Sequence, residues 1–185
     1  MELRVISNPI GAAGPARWLL SNLFYGCGYN FHRGGHRLGV DDLLIRGKLG
    51  QLLEESRRHL GVLAAAFQRK HLAPGPDRPF ASPGATATAE ALECALRHLE
   101  ALEAAVRAPV TPPRRGLALH ASRERGTVER LVALDGEAVL ALVRLRDAIA
   151  RIDDGVAAAA AIGGLLRASD FGALWSQREA LLTGG

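Results

Sequence analysis

A chain of 185 residues holds one ordinary domain, or a small domain with a flexible arm. With 48% hydrophobic and 23% charged residues it has the make-up of a soluble globule, which excludes wholesale disorder. The formal charge of +4 is a mild excess spread over segments of alternating sign, which counts against a nucleic-acid partner, since such binders gather their charge into one patch.

Alanine (32) and leucine (29) dominate, only nine residues are aromatic, and β-branched residues are sparse. That balance favours helix over sheet. The expected fold is all-α, a bundle of long antiparallel helices over residues 40–183 preceded by an aromatic- and glycine-rich N-terminal arm at 1–39. Proline-rich linkers at 74–84 and 108–116 divide the bundle, because proline removes a backbone donor and cannot continue a helix.

The arm is the unusual stretch. Five of the nine aromatics fall between Trp18 and Phe31, among glycines, arginines and two histidines. Pro15 and the apolar spacing from Trp18 to Phe24 predict a short amphipathic helix there, with irregular backbone from Gly26 to Gly39. Aromatic and arginine side chains carry much of the energy of protein interfaces, so Trp18, Phe24, Tyr25, Tyr29, Phe31, Arg33 and Arg37 are the expected partner-binding residues. Two other readings compete: a strap packed across the bundle, and a segment lying on a membrane surface with its arginines toward anionic headgroups. His32 and His36 have the spacing of a metal pair on a helix, but the intervening Arg-Gly-Gly disfavours helix and no further ligand is near in sequence.

A long helix is expected from Asp41, as N-cap, to about Leu72, with Ile45, Leu49, Leu52, Ser56, Leu60, Leu63 and Phe67 on one stripe. Gly47, Gly50 and Gly61 interrupt it, and close approach by a neighbour or fraying of the first turns would account for them. Thr88 is the expected cap of the next helix, whose Leu92, Ala95, Leu99, Leu102 and Val106 form a coiled-coil-like seam. Residues 127–153 fit either a hairpin about Asp135-Gly136 or one helix. Apolar positions from Val128 to Ile152 recur at alternating steps of three and four, which selects the helix and leaves Asp135 on the apolar stripe, read as the cap of a helix restarting after a kink. Asp154 and Asp170 are expected to cap two shorter final helices, with Gly163 and Gly164 at a close helix approach.

Cys27 and Cys94, 67 residues apart, make no Cys-x-x-Cys motif, no Cys–His pair and no disulfide framework, and point to a reducing, cytoplasmic setting. No secretory leader is evident, and the uncharged run from Val156 to Leu166 is too short to span a bilayer. No Gly-x-Ser-x-Gly, Walker or dinucleotide-binding pattern occurs, and no cofactor is expected. The function expected is a non-enzymatic interaction or scaffold protein that self-associates, a homodimer first, and binds a protein partner through its arm. The rival is a helical enzyme or cofactor carrier with a pocket between arm and bundle lined by Tyr25, Tyr29, His32 and His36.

Overall fold

In a computed structural model, residues 15–24, 38–74, 80–108 and 125–183 are described. They form an all-α bundle of six helices: α1 (Pro15–Leu23), α2 (Leu38–His71), α3 (Pro83–Arg107), α4 (Arg125–Ala150), α5 (Gly155–Ser169) and α6 (Phe171–Thr183). The chain divides into two compact units, one of Met1–Ile45, Val110–Ala138 and Leu174–Gly185, the other of Arg46–Pro109 and Val139–Ala173.

Helix α2 buries Ile45, Leu49, Leu52, Ser56, Leu60 and Phe67 of the expected stripe, together with Leu53 and Ala64, while Leu63 is half-buried. A broad apolar face of this kind is what a core-facing helix needs. The Ser56 hydroxyl satisfies itself by donating to the Leu52 carbonyl at 2.8 Å, so its burial leaves no donor unpaired. The helix starts at Leu38, and Asp41 therefore lies inside its first turn, fully buried, rather than at the cap.

Helix α3 is capped six residues before Thr88. Ser82 is the N-cap, its hydroxyl accepting the Ala85 N–H at 3.2 Å, and Pro83 takes the first helical position, where a missing N–H costs nothing. Thr88 sits well inside the helix and donates back to the Gly84 carbonyl at 2.9 Å. Ala89, Leu92, Ala95, Leu99 and Val106 are buried, and α3 packs against α5.

Residues 125–150 are one helix running through Asp135-Gly136, not paired strands. Leu131, Ala138, Leu142, Leu145 and Ile149 are buried on the predicted stripe. Asp135 caps nothing; it is fully buried in mid-helix, held by an ion pair described below.

Asp154 caps α5 as expected, its carboxylate accepting the Val156 and Ala157 N–H groups at 2.8 and 2.9 Å. Asp154→Ala is expected to lower stability by about 1 kcal/mol in denaturant unfolding, the usual worth of an N-cap. Asp170 plays a different part from the one predicted. It ends α5 in the left-handed conformation at φ 49°, its N–H returning to the Arg167 carbonyl. Gly155–Thr183 has the length and apolarity of a membrane span, with a mean hydropathy of 1.2 in its most apolar window. The left-handed turn at Asp170 breaks that stretch into helices of 15 and 13 residues, each short of the roughly 20 that a bilayer crossing needs.

Of the glycines singled out in the sequence, Gly50 is the one closely approached, by the Arg107 side chain, whose Nε would stand 3.1 Å from an added Cβ. A Cβ at Gly47, Gly61 or Gly164 would meet nothing, and one at Gly163 would meet only the end of Arg167 at 3.6 Å. The tight contact is at Gly155, where a Cβ would stand 2.6 Å from the Cβ of Phe67. Gly61→Ala is therefore expected to raise stability by about 1 kcal/mol through helix propensity, read as an increased thermal midpoint.

Candidate functional site

The arm residues named above fall mostly outside the described residues: Tyr25, Tyr29, Phe31, His32, Arg33, His36 and Arg37 all do, and with them the pocket between arm and bundle. Trp18 lies on α1 as expected. Phe24, just past the end of α1, is 7% exposed, so its replacement reads out packing as well as partner contact.

Two other arrangements stand out. The first is a buried ion cluster in the first unit. Arg178 on α6 is fully buried and donates from Nε to Asp135 of α4 at 2.6 Å and from Nη1 to Asp42 of α2 at 2.7 Å. Nη1 also reaches Glu179 at 3.3 Å, while Nη2 makes no hydrogen bond. The guanidinium carbon stands 5.0 Å from the Trp175 ring centroid, a cation–π distance. Burial by itself disfavours the charged guanidinium, but the attraction of Asp135 and then Asp42 outweighs it and raises its pKa. The cluster ties three helices together at one point. Its chemistry is that of a structural clamp.

The second is a groove in the other unit, between α3 and α5, of about 630 Å³. Ala91, Cys94 and His98 of α3 form one wall and Ala159, Ile162 and Gly163 of α5 the other. Ala91, Ala95, Ala159 and Gly163 give the groove small side chains on both helices, and Ile162 and Phe171 are buried. Arg167 and Asp170 stand at its edge, one of each sign.

Cys94 and His98 are a Cys–His pair, contrary to the sequence expectation of none. Helix α3 places them four residues apart, on one face and one turn apart, both exposed. The i,i+4 spacing on the helix with the strongest seam was the signal that would have found them. Among the described residues no three His, Cys, Asp or Glu side chains converge to hold a metal. A second hollow, between α2 and α3, brings together Glu54, Arg57, Arg58, Glu93, Arg97 and Glu100. Its charges balance, and Arg57 and Glu54 are already paired to Glu103 and Arg107, so it selects no ligand of either sign.

No protein-family model, characterised protein or solved structure matches this chain.

Proposed function

We propose that this chain is a non-enzymatic helical interaction protein that self-associates through α3 and presents its N-terminal arm to a protein partner. The observation that carries the self-association is a second stripe on α3, opposite in character to its buried seam. Ala87, Ala91, Cys94, His98, Ala101 and Ala105 follow one another at steps of four, three, four, three and four, and all six are exposed. At about 100° per residue they occupy an arc of roughly 80° on the helix surface. A heptad-spaced, uncharged stripe is the geometry of a helix-pairing seam, and the small side chains let a second helix approach closely. Solvated helix faces ordinarily carry charge, and an adjoining exposed face of α3 does, with Glu90, Glu93, Arg97 and Glu100. The arm's part rests on its composition, five aromatics and three arginines within 25 residues.

Sedimentation equilibrium tests the reading. The full chain is expected to be a dimer at micromolar concentration, and Ala91→Glu with Ala101→Glu, which puts carboxylates into the seam, is expected to be monomeric with unchanged helical circular dichroism. A parent chain that stays monomeric at high concentration overturns it. The arm is tested separately, because Tyr29→Ser with Arg33→Ala is expected to lose partner capture while keeping the dimer.

A further inference from the structure

The stretch from Gly155 to Thr183 contains no proline, yet it leaves the helix at a single residue. Asp170 takes φ 49° and ψ 18°, and is the one non-glycine residue of positive φ among the described residues. That conformation crowds Cβ against the following carbonyl, so aspartate adopts it at a cost and alanine at a greater one. The turn gains little in local bonding. The Asp170 N–H reaches the Arg167 carbonyl at 3.2 Å, and the Phe171 N–H reaches the Ser169 hydroxyl at 3.4 Å. With Asp170 helical, the backbone ladder would run unbroken and α5 and α6 would fuse into one rod of 29 residues. At 1.5 Å per residue that rod is about 43 Å long. Local chemistry therefore favours the straight rod, and the docking of α6 bends it. Trp175 and Arg178 are buried in the first unit, where Arg178 donates to Asp135 and Asp42 at 2.6 and 2.7 Å. Backbone preference and tertiary docking oppose each other at one residue, which is how a two-state hinge is built.

We infer that α6 is an exchangeable helix with Asp170 as its hinge. Asp170 turns helical, α5 and α6 straighten, and α6 seats in a second copy of this chain, whose own α6 returns the exchange. A released α6 exposes the Trp175 ring and the Arg178 guanidinium together, and it leaves behind a seat of two buried carboxylates. Buried carboxylates without their cation are strongly destabilising, so an emptied seat demands an arginine in the same place. A second copy carries the matching helix, complementary in charge and in shape because it is the same helix. Each copy then supplies Arg178 to the other's Asp42 and Asp135. Because an exchanged helix remakes the contacts it left, such dimers form at little cost beyond association, and a short hinge under strain favours them. The inference is independent of the α3 seam proposed above and uses none of its residues.

The test uses the full chain carrying Ala91→Glu and Ala101→Glu, so that the α3 seam is silent. It is held at high concentration, diluted and followed by sedimentation velocity. A dimer is expected that dissociates slowly, because each α6 must leave a buried ion cluster before it returns. Asp170→Ala in this background disfavours the left-handed turn and favours helix. It is expected to raise the dimerisation constant about 10-fold, since each dimer straightens two hinges. Asp170→Gly eases the turn and weakens the helix, and is expected to lower the constant by about as much. Asp170→Asn, which tolerates the left-handed region as aspartate does, is expected to match its background. Equal constants for Asp170→Ala and Asp170→Gly overturn the exchange. So does Asp170→Ala that stays monomeric at every concentration with its helical circular dichroism intact. Should Asp170→Ala lose its fold, a dimer that Asp170→Gly fails to weaken overturns the exchange on its own. The α3 seam is read from the dimer of the parent chain at micromolar concentration, so either reading can fail without the other.

Discussion

Arg178→Ala is expected to lower the stability of this protein by about 3–5 kcal/mol, the largest effect of any single substitution considered. The reason is what it leaves behind. Asp135 and Asp42 lose a guanidinium that stands 2.6 and 2.7 Å away, while both carboxylates remain buried. Each buried carboxylate then keeps its desolvation cost with the guanidinium that offset it gone. In a chain of this size the loss corresponds to a fall in thermal midpoint of roughly 10 °C or more, readable by calorimetry. Arg178→Lys is expected to recover little, because a point charge on a flexible stem cannot serve two carboxylates and the Trp175 face at once. Replacing all three charges, with Arg178→Met, Asp135→Leu and Asp42→Leu, is expected to recover most of the loss, since well-packed apolar groups often equal a buried ion pair. If Arg178→Ala left the midpoint unchanged, the cluster would not be the clamp described here.

Gly155→Ala is expected to destabilise by about 1–3 kcal/mol, against the ordinary trend that alanine improves a helix. The added methyl would lie 2.6 Å from the Cβ of Phe67 and 3.0 Å from its Cγ. Those atoms are close to the backbone of α2 and cannot swing aside as a side-chain tip would. Phe67 is itself buried and stacks on His71 at 4.6 Å, so relief requires α5 to move off α2. Gly164→Ala, nine residues further along the same helix, is the matched control: nothing lies within 4 Å of its new methyl, and it is expected to stabilise. Chemical denaturation of the two variants beside the parent chain should give shifts of opposite sign. Equal shifts would mean that α5 does not meet Phe67 at Gly155.

The elements were legible because their signal is local. Seven apolar steps from Val128 to Ile152 outweighed an Asp-Gly dipeptide, and the structure has a helix there. The caps were less legible. Ser82-Pro83 and Thr88 both offer a hydroxyl ahead of an apolar run, and only the earlier one combines it with a proline at the first helical position. Asp135 reads as a cap from the sequence because its partner, Arg178, lies 43 residues away on another helix and no local pattern joins the two. Of the candidate site, Cys94 and His98 were visible as a spacing and were passed over. That they are exposed, and share a groove with the small residues of α5, depends on which face of α3 packs inward.

From its amino acids alone this chain announces an all-α protein, the extents of its long helices to within a few residues, and the stripes they bury, because a helix repeats every 3.6 residues and writes its inner face as a periodic pattern. Tertiary structure alone decided that Asp42 meets Arg178 across 136 residues, that Gly155 rather than Gly163 is the close approach, and that one uncharged stripe of α3 stays outside. Such pairings depend on where separate helices come to rest against one another. A periodicity confined to each helix does not encode that placement.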